Sequence, residues 1–282
     1  MSSAPSTTAS TGGSGSAPIT LHRGGEIAEL VIDRAEKRNA MSLAMWQAIP
    51  VLVAEADADP AIKALIVRGD GAHFCAGADI GEFREQRSTP EAAARYGDTI
   101  EAATHALARM SIPSIAVVRG FCIGGGCELA LACDLRLADT TSRLAITPAT
   151  LGIVYGYSST RRLVSVVGPS FAKYLLLSAN KVTAEEAHRV RMIDQLLAPE
   201  DLQEAARTLA TTIGGRSQVS VRGGKRLVEM AVAGVPTDDP EATSIPLDAV
   251  TSADYAEGVA AFLEKRPPRV SGSTAGHHPV GP

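Results

Sequence analysis

The sequence predicts an α/β protein in which a core of alternating strands and helices is followed by a helical C-terminal region. Two patterns support this class. Short apolar runs rich in β-branched residues alternate with helical stretches, and the final third is predicted to be helical almost throughout. The composition agrees, because 45% hydrophobic and 21% charged residues are typical of a soluble globular protein. Since only 4% of the residues are aromatic, the core must be built mainly from Ala, Val, Leu and Ile.

The first half of the chain alternates strands and helices in a regular order. Ser42 and Thr89 are the expected N-caps of its two helices, because their side chains can accept a bond from a first-turn N–H. Pro90 suits the first helical position, where its missing N–H has no cost. The predicted elements are strands at 27–33 and 64–68, a polar turn at 34–39, and helices at 42–57 and 89–110.

The second half begins with one more strand and then becomes increasingly helical. Three consecutive glycines, residues 124–126, open a short helix after the turn at Arg119-Gly120. The predicted elements are strands at 115–118 and 135–138, and helices at 127–132, 170–179, 184–190, 201–213, 221–233 and 252–263.

The chain divides into four expected segments. Residues 1–18 are rich in Ser, Thr, Gly and Ala, which predicts a disordered lead-in, and residues 271–282 predict a disordered tail. Between them we expect an α/β core at 19–200 and a helical region at 201–270. No sharp internal repeat is visible, and no linker occurs before about residue 267.

Charge and cysteine content exclude several classes of protein. A net charge of −4 without a long basic run argues against a nucleic-acid or anionic-membrane partner. No apolar run approaches the roughly 20 residues of a membrane helix, and the first residues do not resemble a secretory signal. The four cysteines lack C-x-x-C spacing, so we expect buried thiols in a reducing, cytoplasmic compartment and no metal site.

Two glycine-containing turns carry the candidate chemistry, at residues 73–80 (HFCAGADI) and 120–129 (GFCIGGGCEL). Glycines between a strand and a helix allow a tight turn and the close approach of a ligand. They also leave free N–H groups at the helix N-terminus, which can stabilise a developing oxyanion. Glu128 lies in the first turn of that helix. Such a turn is often purely structural, and such a glutamate often only complements the helix dipole. The glycines match neither nucleotide-binding motif.

The two blocks together resemble a known family. AGADI at 76–80 and GFCIGGGCELALACD at 120–134, in this order and at this separation, are similar to the enoyl-CoA hydratase/isomerase (crotonase) family. The similarity extends over about residues 19–269, and AAFLEKRPP at 260–268 resembles the C-terminal end of the family.

The resemblance implies a spiral of ββα units with a C-terminal helical trimerisation region, assembled as a homotrimer or homohexamer. It implies an acyl-CoA substrate and no resident cofactor, since CoA arrives as part of the substrate. The N–H groups of Ala76 and Gly125 would form the oxyanion hole for the thioester carbonyl, with Glu128 as the catalytic carboxyl group. The implied CoA-binding residues are Lys37 and Arg38 at the phosphates, Ala78, Asp79, Ile80 and Gly124 along the pantetheine and adenine, and Phe262 and Lys265 as a cover that can come from a neighbouring subunit.

One region departs from the hydratase pattern. Hydratases of the family carry a second glutamate, and here that position falls on Pro148 or, if the prolines are matched, on Ala149. Tyr155 replaces a usual proline and is either a catalytic assistant or an ordinary pocket residue. The region resembles a subgroup that includes methylmalonyl-CoA decarboxylases, although the histidine of those enzymes is replaced by Ala78.

Three functions follow from these observations. The first is hydration of a 2-enoyl-CoA to a 3-hydroxyacyl-CoA, with Glu128 acting as base and then as acid. The second is decarboxylation or hydrolysis of an acyl-CoA in the same oxyanion hole, since either reaction needs only one acid–base group. The third is a CoA-binding protein without catalysis, against which the retained Glu128 argues.

Overall fold

The computed structural model describes residues 18–270. The predicted lead-in (1–18) and tail (271–282) lie outside this part of the chain, except for Pro18. The strands are β1 (Ile19–Gly24), β2 (Ile27–Ile32), β3 (Ala64–Gly69), β4 (Ser114–Val118), β5 (Phe121–Ile123), β6 (Leu135–Asp139), β7 (Arg143–Ala145), β8 (Val182–Thr183) and β9 (Gln195–Leu197). The helices are α1 (Leu43–Ala58), α2 (Phe83–Gln86), α3 (Pro90–Arg109), α4 (Gly125–Ala132), α5 (Tyr157–Ser178), α6 (Ala184–Arg189), α7 (Leu202–Gly214), α8 (Gln218–Ala233), α9 (Pro240–Val250) and α10 (Ala253–Leu263).

A sheet of six strands, in the order β1-β2-β3-β4-β6-β9, forms the centre of the fold. β1 pairs antiparallel with β2, and the other neighbours are parallel. Parallel strands covered on both faces are apolar throughout, and β3 shows this directly. Leu65 and Val67 belong to the main core with α1 and α3, whereas Ala64 and Ile66 pack against α7 on the other face.

A smaller sheet, β5-β7-β8, lies beside the first and positions the glycine-containing turns. β5 and β7 are parallel, and β7 and β8 are antiparallel. A backbone bridge between Cys75 and Cys122 joins the turn after β3 to β5, immediately before α4. This pairing brings the two segments that the sequence singled out into direct contact.

The predicted α/β class and most long elements are confirmed. The Ser42 hydroxyl accepts from Met45 N at 3.3 Å, and the Thr89 hydroxyl accepts from Ala92 N at 3.2 Å, as expected for the two N-caps. Strands β2, β3, β4 and β6 lie where the apolar runs predicted them.

Several elements differ from the predictions for identifiable reasons. β1 is an edge strand whose residues are mostly polar and exposed, so it carries little hydrophobic signal. α5 begins at Tyr157 rather than at 170, because Gly168 (φ 73°) breaks the helix and only the second half has a clear pattern. α9 was not predicted, since Pro246 lies inside it. β5, β7 and β8 contain only two or three residues each.

The C-terminal helices leave large apolar side chains exposed. Val228 of α8, Leu247 of α9 and Phe262 of α10 are 65%, 65% and 83% exposed. Between residues 18 and 270, no helix has both the length and the apolar character needed to cross a membrane.

Candidate active site

The N-terminus of α4 forms the centre of the candidate site. Gly124 adopts φ 51° and ψ −109°, a conformation that requires glycine, and the helix begins at Gly125. The first N–H groups of a helix have no acceptor within the helix. Gly126 packs directly on the preceding turn, because a Cβ at this position would lie 2.5 Å from the carbonyl oxygen of Cys75. The two glycine-containing turns therefore meet without side chains between them.

The assignment of Ala76 to the oxyanion hole is wrong. Its N–H donates to the carbonyl oxygen of Arg38 at 3.0 Å, so it is already satisfied by the fold. Ala76 lines the cavity described below, but it offers no free donor there.

Ala78 and Gly125 provide the free donors instead. Within the described part of the chain, the Ala78 N–H meets no acceptor, and the Gly125 N–H is the first of α4. The two groups are neighbours, because a Cβ built on Gly125 would lie 3.6 Å from Ala78 N. The groups flanking Ala78 are both engaged: Gly77 N donates to Cys75 Sγ at 3.4 Å and Asp79 N to the Met41 carbonyl at 2.8 Å. A negatively charged oxygen could accept from both free groups at once.

A cavity of about 510 Å³ opens in front of these donors. It lies between the two glycine-containing turns, α2, α3, the start of α5 and the segment before α5. The lining residues used below are Ala76, Ala78, Ile80, Phe83, Arg87, Tyr96, Asp98, Glu101, Gly124, Gly125, Glu128, Pro148, Tyr155, Ser158 and Ser159.

Glu128 is the buried carboxyl group of this cavity, with 8% of its surface exposed. Burial raises its pKa from 4.5 to about 7, because a charged carboxylate loses hydration there. A hydrogen bond from Ser159 and the charges of Arg162 and Arg87 oppose this shift. Near neutral pH the group can therefore either accept or donate a proton, as one group with two successive roles requires.

Tyr155 is 8% exposed and lines the same cavity. Its hydroxyl donates to the Gly124 carbonyl at 3.5 Å, the long limit of a hydrogen bond. Burial and the nearby Glu128 raise its pKa well above the ordinary value, so the phenol stays protonated and cannot act as a base through its phenolate.

The structure distinguishes the two positions considered for a second glutamate. Pro148 begins a 3₁₀ turn (Pro148–Leu151) and lines the cavity, whereas Ala149 is exposed and does not line it. Two further carboxylates of the described chain reach the cavity wall, Asp98 and Glu101 of α3, and both are exposed. Glu101 accepts a bond from the Ser158 hydroxyl at 2.7 Å.

The predicted CoA-binding residues divide into two groups. Ala78, Ile80 and Gly124 line the cavity. Asp79 does not line it; its carboxylate pairs with Arg34 at 2.8 Å and accepts from Gly81 N at 3.0 Å.

The predicted basic and C-terminal residues lie away from this cavity in the single chain. Lys37 and Arg38 are exposed in the turn before α1, with the Arg38 guanidinium 5.6 Å from the ring centre of Phe121. Phe262 lies in the last turn of α10, and Lys265 lies just after the end of that helix. The structure therefore unites the predicted catalytic residues and three predicted CoA-binding residues, and leaves five others outside.

Sequence reasoning missed Arg87, Tyr96 and Ser159. Arg87 belongs to a charged stretch that resembles a solvated surface, and Tyr96 is one aromatic residue in a helix predicted on other grounds. Ser159 belongs to a run of small polar residues, and nothing in the sequence indicates that its hydroxyl reaches Glu128.

The comparison with known proteins decides the family. The enoyl-CoA hydratase/isomerase family matches residues 22–273. The chain belongs to this family. It is 36% identical over 253 residues to crotonyl-CoA hydratase of Syntrophomonas wolfei, covering 88% of this chain and 95% of that protein. It is 30% identical to short-chain-enoyl-CoA hydratase of Clostridium acetobutylicum, with the same coverage.

Solved structures confirm the fold of this hydratase/isomerase family member. A family protein from Hyphomonas neptunium has a TM-score of 0.88 and 41% identity, over 91% of this chain and 98% of that one. An enoyl-CoA hydratase from Bacillus anthracis has a TM-score of 0.85 and 26% identity, over 91% and 100%. The family and the crotonase fold inferred from the glycine motifs are thus confirmed. The hydratase relatives support enoyl-CoA hydration, a carbon–oxygen lyase reaction. The likeness to the decarboxylase subgroup stays a prediction.

Proposed function

We propose that this protein hydrates a 2-enoyl-CoA to a 3-hydroxyacyl-CoA. One observation carries the proposal: a single cavity contains a buried carboxyl group, Glu128, and two neighbouring free N–H groups, those of Ala78 and Gly125. The carboxyl group can exchange protons near neutral pH, and the two N–H groups can bind an enolate oxygen.

In the proposed mechanism the thioester carbonyl accepts hydrogen bonds from Ala78 N and Gly125 N. Glu128 removes a proton from water as the water oxygen bonds to C3, and the electrons move onto the carbonyl oxygen as an enolate. The two donors stabilise this charge, where the loss of one typically costs about 3 kcal/mol. Glu128, now protonated, returns the proton to C2, so the elements of one water are added across the double bond.

The remaining features of the proposal concern how the substrate is held. The reaction uses water and the acyl-CoA substrate and requires no resident cofactor. Lys37 and Arg38 bind the phosphates of the CoA. Asp79 lies beside the pantetheine, and its ion pair with Arg34 fixes the first glycine-containing turn there. The exposed Phe262 supports a homotrimer or homohexamer in which α10 of one subunit, with Lys265, covers the CoA of another. We place this activity in the cytoplasm.

The test is hydration of crotonyl-CoA by the purified protein, followed by the loss of absorbance of the conjugated thioester. We expect saturable turnover, slower than that of relatives with two catalytic glutamates. Binding of crotonyl-CoA without any turnover would overturn the proposal and favour a CoA-binding protein without catalysis.

The rate should depend on pH through Glu128. We expect kcat/KM for crotonyl-CoA to rise with pH and to level off above about 7, because only the ionised carboxylate can accept the proton of water. The measurement is a pH–rate profile at constant ionic strength. A profile that stays flat through neutrality would contradict Glu128 as the base.

A second candidate function is favoured by Pro148, which faces the cavity where a second carboxylate is expected. In decarboxylation, CO₂ leaves the acyl group, the oxyanion hole holds the resulting enolate, and one donor reprotonates C2. In hydrolysis, water activated by Glu128 attacks the thioester carbonyl and the CoA thiolate leaves. Malonyl-type thioesters test the first reaction, and release of free thiol tests the second.

Restoring the carboxylate should increase hydration. Pro148→Glu places a second acid–base group in the cavity, and we expect crotonyl-CoA hydration to rise at least about 10-fold, since such groups contribute roughly 10²–10⁴-fold. Ala149→Glu is the matched control, because that side chain is exposed outside the cavity. An equal gain in the control would show that Pro148 is not the relevant position.

A further inference from the structure

Arg87 supplies a cation to the cavity wall without an anion to bind. Among residues 18–270, no carboxylate pairs with its guanidinium and no acceptor bonds to it. The rings of Phe83 and Tyr96 lie against it, with their centres 4.9 Å and 5.3 Å from the guanidinium carbon. These rings hold the guanidinium in place at the cavity.

Tyr96 supplies a second donor at the same wall. It is 2% exposed and lines the cavity, and its hydroxyl proton has no acceptor in the described chain. The indole N–H of Trp46 can only donate, so it can serve the phenol oxygen but leaves the phenol proton without an acceptor. A buried donor without an acceptor destabilises the fold, and such a group calls for a partner that accepts its proton.

Both donors lie in the wall of the cavity that contains Glu128. Arg87, Tyr96 and Glu128 line the same cavity, and their charges are close enough to affect one another: Arg87 lowers the pKa of Glu128, and Glu128 raises that of Tyr96. Glu82 is the carboxylate whose charge acts most strongly on Tyr96, but it accepts from Leu43 N at 2.8 Å and bonds to neither donor within the described residues. Glu101 accepts from Ser158, and Asp98 is exposed.

We propose that Arg87 and Tyr96 bind a carboxylate carried by the acyl group, so that the substrates are CoA thioesters of dicarboxylic acids. This inference rests on the proposed acyl-CoA function. A carboxylate is an acceptor only, it fits the fork of a guanidinium, and it can take the phenol proton on its remaining lone pairs. A plain alkyl chain would fill the same space and leave both donors desolvated without partners.

Binding of unreactive thioesters tests this inference independently of catalysis. Calorimetry would compare succinyl-, glutaryl- and adipyl-CoA with neutral saturated thioesters of matching chain length. We expect one member of the anionic series to bind at least about 10-fold more tightly than its neutral match. This ratio should fall by roughly 10–100-fold in Arg87→Gln, because bonds to charged groups contribute about 1.5–3 kcal/mol. Arg87→Lys should retain part of it, and Tyr96→Phe should lower it by a smaller factor while keeping the ring.

Arg84→Gln is the matched control, since it removes an exposed arginine of α2, the short helix that ends just before Arg87. We expect this variant to keep the full preference. Equal binding of anionic and neutral thioesters by the wild type, or a loss of both alike in Arg87→Gln, would overturn the inference.

Turnover separates this inference from the proposed function. The substrates are 2-enoyl-CoA thioesters with and without a terminal carboxylate. Hydration of both at equal kcat/KM would contradict the carboxylate site and support the proposed hydratase activity. A preserved binding preference without hydration of either would do the reverse.

Discussion

Replacing Glu128 by Gln is expected to reduce crotonyl-CoA hydration by about 10²–10⁴-fold, the contribution of a general acid–base group. The amide cannot take up the proton of water or deliver it to C2, yet it has nearly the same shape. Affinity for a saturated acyl-CoA, measured by calorimetry, should stay within about 3-fold, because the CoA-binding residues and the free N–H groups are untouched. The ionisation near pH 7 should disappear from any residual activity.

Glu101→Gln is the control for this variant, because Glu101 is a second carboxylate at the cavity wall. It is exposed and bonded to Ser158, so its loss should affect hydration far less. A loss in Glu101→Gln as large as that in Glu128→Gln would contradict a mechanism with one carboxyl group.

Gly126→Ala is expected to damage both stability and activity. The added Cβ would lie 2.5 Å from the carbonyl oxygen and 3.0 Å from the Cβ of Cys75, and backbone atoms cannot move aside as a flexible side chain can. Overpacking of this kind costs roughly 1–3 kcal/mol. Relief of the clash would also separate α4 from the turn that carries Ala78, and thereby the two oxyanion donors. We expect a lower melting temperature and at least about 10-fold slower hydration in the folded fraction, since the loss of one such donor costs about 3 kcal/mol.

Gly224→Ala is the matched glycine substitution. Gly224 lies within α8, and a Cβ there would meet no atom within 4 Å. Alanine should stabilise the protein by about 0.5–1 kcal/mol through helix propensity, without changing the rate of hydration. If Gly126→Ala behaved in the same way, the close contact with Cys75 would not be essential.

The long elements of this fold could be predicted because their signals are local. The β-branched residues of β3 and the caps Ser42 and Thr89 act within a few neighbouring positions. The short strands β5, β7 and β8 depend instead on distant partners. Phe121 becomes a strand residue because it pairs with Arg143, and no local pattern encodes that pairing.

The site was predictable in its position and less so in its details. The glycines and Glu128 located it, because close backbone approach and a first-turn carboxylate leave a trace in the sequence. The sequence could not show which N–H of the turn at residues 73–80 is free. The Ala76 N–H is engaged only because the Arg38 carbonyl lies opposite it. The positions of Arg87 and Tyr96 likewise depend on how α2 and α3 pack together.

The wall of the cavity formed by residues 147–156 has a consequence for protein engineering. Most of its backbone bonds are internal, such as Thr150 N to the Thr147 carbonyl and Ile153 N to the Pro148 carbonyl, and one leads into α5, from Thr160 N to the Gly156 carbonyl. The oxyanion donors are held by other segments, through the pairing of Cys75 with Cys122 and the bond from Gly124 N to the Ala145 carbonyl. The wall can therefore be exchanged as one block, provided that Tyr155, whose hydroxyl donates to the Gly124 carbonyl, is kept. Transplanting it as one block from a relative should redirect the fate of the enolate while the scaffold that creates the enolate is retained.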